Sequence, residues 1–224
     1  MFGVEKLLNS IAPFSCLICK QEGDLLCAWC KPDACPKIPS RCYRCQKQTQ
    51  DAAVCIVCQR HTVLKRVWVH SEYTATAKLL VTSLKYEYKR PAAAIIASYV
   101  DEIMPYMSPE PVVIHIPTAS KRVRMRGFNH AHLIAWEFAL QRFWPLVSML
   151  QRVGQTQQVG AKRTHRLQQL ETAFWVQNPQ AIQGKQVLLI DDVLTTGATI
   201  ETAARVLKKA GAKTVNAAIF AQAI

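Results

Sequence analysis

The stretch VLLIDDVLTTGATI, residues 187–200, concentrates residue types that handle phosphate esters. Val187 to Ile190 read as a buried strand, and two adjacent carboxylates, Asp191 and Asp192, stand at its carboxyl end. Thr195, Thr196, Gly197, Ala198 and Thr199 then make a turn of small residues that opens a helix. Such a turn offers consecutive backbone N–H groups, three hydroxyls and a helix N-terminus, a set that suits a phosphate dianion. Gly197 allows close approach because no Cβ stands in the way. The two acids cannot hold that phosphate; they suit ribose hydroxyls, or a divalent cation such as Mg²⁺ held with them. Side by side, their like charges are a cost to the empty protein. The loop has neither the G-K-[ST] of a Walker motif nor the G-x-G-x-x-G of a dinucleotide fold. A plain strand followed by a capped turn is the bland alternative, but paired acids before T-T-G-A-T form too particular a pattern for it.

A second chemistry lies near the other end. All nine cysteines fall between residues 16 and 58, and eight form C-x-x-C pairs: Cys16/Cys19, Cys27/Cys30, Cys42/Cys45 and Cys55/Cys58. Cys35 stands alone. C-x-x-C lets two thiolates on a tight turn face one ion, and two such turns complete a tetrahedral zinc site. A secreted disulfide scaffold would need an export signal, and a redox C-x-x-C occurs once beside a βαβ unit, not four times in succession. The simplest pairing is sequential, with Cys16, Cys19, Cys27 and Cys30 on one ion and Cys42, Cys45, Cys55 and Cys58 on a second; an interleaved pairing stays open. Four ligands leave no position for water, so both sites would be structural. Metal is a common remedy for a segment of about 60 residues that buries little apolar surface. With eight thiolates and two zinc ions, the formal charge falls from +13 to about +9.

These groups need a scaffold. The Cys-rich part ends near residue 60, and the boundary is placed at residue 62: a module over 1–62 and a domain over 63–224, each expected to have its own core. Thr74–Tyr88 reads as an amphipathic helix with Leu79, Leu80, Leu84 and Tyr88 at helical spacing, and Pro91–Met104 as another. Val112–Ile116 is a short buried strand closed by Pro117. Asn129–Phe143 reads as a helix, Leu146–Leu150 as a weaker strand, Thr199–Ala210 as a helix ended by Gly211, and Val215–Phe220 as the closing strand. Strands alternating with helices predict an α/β fold with a parallel sheet flanked by helices. His115 falls within a strand pattern and reads as a core histidine.

The segment 187–200 resembles, position for position, the 5-phosphoribosyl-1-pyrophosphate (PRPP) signature of type I phosphoribosyltransferases. The resemblance implies ribose contacts for Asp191 and Asp192 and a 5′-phosphate cradle for Thr195, Thr196, Gly197, Ala198 and Thr199. A second stretch, IPTASKRVRMRGFNHAHLIA, residues 116–135, looks like the R-x-R-G-F-N run of the ComF/GntX proteins: Arg124, Arg126, Gly127, Phe128 and Asn129 agree, and His130 replaces the Gln that follows. Gln158–Phe174 is similar to that family's flexible loop at Gln158, Gly160, Arg166, Ala173 and Phe174, with Ala161 standing for Leu and Gln169 for Asn. A double zinc ribbon ahead of a type I phosphoribosyltransferase-like domain is this family's arrangement, so the resemblance covers nearly the whole chain. It implies a protein concerned with uptake and use of external DNA, with PRPP and Mg²⁺ as ligand and cofactor.

The chain of 224 residues is 50% hydrophobic and 19% charged, which excludes global disorder. Lys and Arg outnumber Asp and Glu by 28 to 15, which favours polyanionic or phosphorylated partners. The longest apolar runs, such as residues 92–100, fall short of the roughly 18–20 residues of a membrane helix. Residues 1–15 show no basic and apolar export signal, so a cytoplasmic address is expected. Residues 111–170 contain nine bases and a single acid, Glu137. Lys121, Arg122, Arg124 and Arg126 follow the strand at 112–116; with parallel strands they share a sheet edge with the phosphate loop, where pyrophosphate needs cations, and Arg166 joins them from the flexible loop. Surplus bases, Arg122, Arg124, Lys162 and Arg163, could track single-stranded DNA; contact with DNA-uptake machinery is what the family resemblance implies. Two functions follow: a DNA-handling accessory protein that keeps a phosphoribosyl site, or an enzyme transferring ribose 5-phosphate from PRPP to an acceptor. Phe128, His130 and His132 lie close to the basic run, but one aromatic is not a stacking platform. Elemental analysis of untagged protein should return about two zinc ions per chain. Cys35→Ser should keep that content and Cys55→Ser should not; equal loss in both would contradict the ligand assignment.

Overall fold

Long apolar runs without polar alternation belong to strands covered on both faces, and three such runs form the centre of this molecule. The computed structural model describes residues 13–152 and 173–223. Strands β3 (Leu64–Glu72), β4 (Val112–His115), β7 (Gln186–Leu194) and β8 (Thr214–Gln222) form one sheet in the order β3-β8-β7-β4. Every neighbouring pair is parallel. Helices α2 (Ala75–Tyr86), α3 (Pro91–Asp101) and α5 (His130–Arg142) cover one face, where Leu84, Ile96, Ile134 and Phe138 pack on Leu188, Ile190 and Phe220. Helix α6 (Ala198–Lys209) covers the other, with Ile200, Ala203 and Leu207 on Val187, Leu189 and Val215. Truncating a fully buried anchor such as Phe138 to Ala would cost roughly 3–5 kcal/mol.

Register fixes which ends meet. Val112 pairs with Val187 and His115 with Ile190, so the carboxyl ends of β4 and β7 lie at one edge. A short helix, α4 (Ser120–Arg126), starts just beyond β4 and stops at Gly127, whose φ of 72° lets its N–H close on Val123. Asn129 then caps α5 by accepting the His132 N–H.

Several expectations need correction. Strand β7 runs through Asp191 and Asp192 to Leu194, so the acids lie within the strand. Leu146 makes an isolated parallel bridge to Val113, and the strand expected over 146–150 is instead β5 (Leu150–Arg152), antiparallel to β6 (Phe174–Val176). Leu79 and Tyr88 face solvent. Helix α4 had no apolar period to reveal it, because KRVRMR is four-sixths basic.

The separate cores expected on either side of residue 62 are not found. The Cys-rich segment holds β1 (Phe14–Ser15), β2 (Glu22–Gly23) and α1 (Lys31–Ala34). Its Cys16, Leu25, Leu26, Ala34 and Cys35 share a core with α2, α3 and Trp68. Its Cys42, Tyr43, Val54 and Cys58 share the other with Leu64, Val67 and Val187. Hydrogen bonds stitch the same seam: Ile38 N–H to His70 O (2.9 Å), Val54 N–H to Lys65 O (3.0 Å) and Trp68 Nε1–H to Asp51 (2.9 Å). The segment is too poor in apolar residues to close a core alone, and it shields the edge strand β3. Among the described residues no helix is long and apolar enough to cross a membrane. The shared cores predict one unfolding transition. Cys55→Ser should lower it by roughly 5 °C or more, since about 2–4 °C is lost per kcal/mol at this size, with tryptophan fluorescence and far-ultraviolet dichroism moving together. An unshifted transition for the sheet would contradict the shared cores.

Candidate functional site

The thiols of Cys16, Cys19, Cys27 and Cys30 lie within 4.8 Å of one another, and so do those of Cys42, Cys45, Cys55 and Cys58. The grouping is therefore sequential. Cys19 and Cys27 sulfurs are 3.8 Å apart, and those of Cys45 and Cys55 are 3.6 Å apart. Zinc bonds of about 2.3 Å place tetrahedral sulfurs about 3.8 Å apart, so both groups could hold zinc. Burial opposes ionisation of Cys16, but amide N–H groups of Cys27, Cys19 and Ile18 outweigh it and bring the thiol down to about 6. Burial likewise opposes ionisation of Cys42, but the amides of Cys45, Cys55 and Arg44 outweigh it and bring the thiol down to about 7. Cys30, hydrogen-bonded to Cys27, is pushed up to about 12, the proton retention that a bound cation removes. Cys35 lies in neither group.

At the edge where β4 and β7 end, Asp192 is buried and already paired. Its Oδ2 lies 2.5 Å from Lys85 Nζ on α2 and 3.3 Å from His130 Nε2 on α5. The His130 Nδ1 side meets Arg126 at 3.0 Å. Burial works against the Asp192 charge, but His130 and Lys85 outweigh it and hold the carboxyl below the usual range. Successive strand residues point to opposite faces, so Asp191 takes neither partner; its Oδ1 accepts the Asp192 N–H at 3.0 Å. Burial first, and then the Asp192 charge, push Asp191 up to about 8. The mutual repulsion expected of the pair is thus eased by the Lys85 ammonium and the His130 ring on one member and by the raised pKa of the other.

Gly197 caps α6 with φ 80°, a left-handed value that strains any residue with a Cβ. It also has a neighbour that sequence reasoning did not supply. A Cβ there would stand 3.0 Å from Tyr43 Cε2. Tyr43 and Arg44 are the two residues between Cys42 and Cys45. The Tyr43 hydroxyl donates to Glu201 on α6 at 2.8 Å and lies 3.0 Å from Thr62 Oγ1, while Arg44 pairs with the same Glu201. The second cysteine group therefore grips the first turn of the helix that the Thr195–Thr199 turn opens.

Of the basic run, Arg122 and Arg124 are exposed on α4, and Lys121 lies on the same helix. Arg126 is buried against His130. Arg142 ties off α3 through the carbonyls of Asp101, Met104 and Pro105, and Arg152 lies over Phe174 at 5.3 Å. The stripe is thus split between surface and scaffold. Lys162, Arg163 and Arg166 lie outside the described residues, as do Gln158, Gly160 and His165. His115 is buried, as expected. Lys85, Tyr43 and Glu201 gave no signal in the sequence; His130 gave one, as the departure from Gln.

The buried ion pair makes a prediction. Lys85→Met should destabilise the protein by roughly 3 kcal/mol, because it removes a cation from a buried carboxylate, and adding Asp192→Asn should restore most of the loss. Asp192 has a depressed folded pKa. Its stabilisation is full above the ordinary carboxylate value of about 4 and fades as pH falls below it. Denaturant titrations in which Lys85→Met costs nothing at pH 7 would contradict the pairing.

The family model for the phosphoribosyl transferase domain matches residues 145–223. Competence protein ComFC of Bacillus subtilis (strain 168) is 29% identical over 93% of this chain and 92% of its own length. The DNA utilization protein YhgH of Salmonella typhimurium is 30% identical over 85% of this chain and 81% of its own. An adenine phosphoribosyltransferase of Clavibacter michiganensis is 46% identical over 50 residues, 22% of this chain and 29% of that one. The parallel sheet and its flanking helices form a type I phosphoribosyltransferase fold, the two cysteine groups fit zinc ribbons, and the chain belongs to the ComF family.

Proposed function

We propose that this chain is a phosphoribosyltransferase-like accessory protein for uptake and use of extracellular DNA, and that it binds PRPP or a related phosphoribosyl ligand together with Mg²⁺. The observation that carries this reading is the parallel register of β4 and β7. It brings the acid pair, the Thr195–Thr199 turn and the basic helix α4 to one edge. Open α/β sheets take ligands at such carboxyl edges. The DNA role is supported by the names of the relatives, competence protein ComFC and DNA utilization protein YhgH.

In this reading the turn amides and the hydroxyls of Thr195, Thr196 and Thr199 hold the 5′-phosphate, helped by the α6 N-terminus. Asp191, which lies away from Lys85 and His130, serves the ribose hydroxyls. Asp192 keeps Lys85 and His130 in place beside it. Lys121, Arg122, Arg124 and Arg126, with Arg166, supply positive charge for pyrophosphate. Mg²⁺ would neutralise that pyrophosphate and polarise its oxygens. Two zinc ions, one in each cysteine group, play a structural part. Single-stranded DNA binds along the exposed bases that begin at this edge with Arg122 and Arg124, and the protein works in the cytoplasm.

Calorimetry with Mg²⁺ and PRPP tests the ligand. Asp191→Asn should lower affinity at least tenfold without loss of fold, and it is cleaner than the double change to Asn because Asp192 also neutralises Lys85. Equal affinity in wild type and variant would refute the site. Single-stranded DNA binding should weaken with salt at a log–log slope of roughly −0.7 per phosphate neutralised. If Arg122, Arg124, Lys162 and Arg163 all engage, the slope is about −3, a roughly sixtyfold loss between 50 and 200 mM salt. Changing Arg122 and Arg124 to Glu should shrink that slope and spare zinc content; an unchanged slope would make the cluster a solvated face.

A further inference from the structure

The turn between α2 and α3 carries two aromatics that neither core absorbs. Tyr86, at the end of α2, is 65% exposed and Tyr88 is 54% exposed. Lys85, Tyr86, Tyr88, Arg122, Met125 and Arg126 line one groove of about 480 Å³. The rings are held from behind. The Arg126 guanidinium lies over the Tyr86 ring at 4.9 Å, and Tyr88 meets Phe128 edge to face at 6.1 Å. The Tyr88 hydroxyl donates to Met125 O at 3.0 Å. Tyr88 adopts φ 58°, a left-handed conformation that costs a residue bearing a Cβ and that collects at functional sites. Glu87, between the two tyrosines, is paired with Lys89 at 2.8 Å and does not line the groove.

The chemistry narrows the occupant. Flat, solvent-facing rings beside Arg122 and Arg126 suit a planar group that carries negative charge next to it. A nucleotide has both, and base–aromatic stacking is tolerant of sequence because every base has a π-face. A duplex keeps its bases stacked on each other, so the fitting form is single-stranded. The groove also begins beside the phosphoribosyl edge: Lys85 at its inner end holds Asp192 at 2.5 Å, and Arg126 holds His130 at 3.0 Å. We infer that Tyr86 and Tyr88 form a nucleobase-stacking surface for single-stranded DNA, with exposed Arg122 on a flanking phosphate and Arg126 fixing the Tyr86 ring. This rests on the DNA-binding reading above and adds base contacts to its backbone contacts. It also replaces the expectation that aromatics near the basic run are too few to stack on.

Fluorescence anisotropy on full-length, metal-loaded protein tests it. The probes are a labelled fifteen-nucleotide thymidine oligomer, an abasic oligomer of equal length and phosphate count, and a duplex of equal length, all at 50 mM salt. The thymidine oligomer should bind about fivefold or more tighter than the abasic one. Tyr86→Ala/Tyr88→Ala should erase that preference and leave the salt slope unchanged. Tyr86→Phe/Tyr88→Phe should keep it, since stacking needs the ring, and this variant guards against a result caused by a disturbed fold. Equal binding of the thymidine and abasic oligomers, or of the thymidine oligomer and the duplex, overturns the stacking surface while backbone binding stands. No binding of any oligomer overturns the DNA reading, and the surface with it.

Discussion

Tyr43 packs so closely on Gly197 that a Cβ there would stand 3.0 Å from its ring, and the start of α6 is arranged around that contact. Four thiols converge so that the Cys42–Cys45 turn is tight, and the tight turn presents Tyr43 and Arg44 together. Both reach Glu201, one turn into α6. The helix start is thereby held from outside while β7 positions it from inside. A phosphate cradle built from backbone amides needs such rigidity, because amides that must reorganise on binding lose part of the interaction to ordering. The Cys-rich segment is in this sense part of the support of the proposed ligand site. It is also part of the core, which explains how a segment with so little apolar surface keeps its place.

The acid pair shows a related economy. Two carboxylates within one strand cannot both ionise freely in a buried setting. The chain assigns them different environments through strand alternation alone: Asp192 toward Lys85 and His130, Asp191 away from them. Lys85 and Arg126 then serve two neighbouring features, since each also lines the groove that leads outward past Tyr86. The sheet edge that carries the acid pair and the basic, aromatic groove are thus joined through Lys85 and Arg126.

What was legible in the sequence is what is local in the chain. The C-x-x-C spacing announces a knuckle because both thiols lie on one turn, and T-T-G-A-T announces a helix-opening turn because its small residues are consecutive. Buried runs such as Val187–Ile190 give parallel strands because no polar face interrupts them. The partners of these motifs were not legible. Tyr43 and Glu201 are 158 residues apart, and no periodicity links them. His130 looked like a lapse from a family pattern until the fold placed it on Asp192. The two-core expectation failed because composition marks where cysteines end, not what they pack against. Arg142 belongs to the same base-rich stretch of sequence, yet its guanidinium closes the end of α3.

The central claim is that the turn opening α6 is a phosphate site for a phosphoribosyl ligand. Amide hydrogen exchange over residues 195–200, measured with and without Mg²⁺ and PRPP in metal-loaded protein, reads those backbone donors directly. The account predicts slowed exchange at these amides on adding PRPP, with the middle of α2 unchanged. Exchange at 195–200 that is the same with and without PRPP, at ligand concentrations that saturate known phosphoribosyl sites, would contradict it.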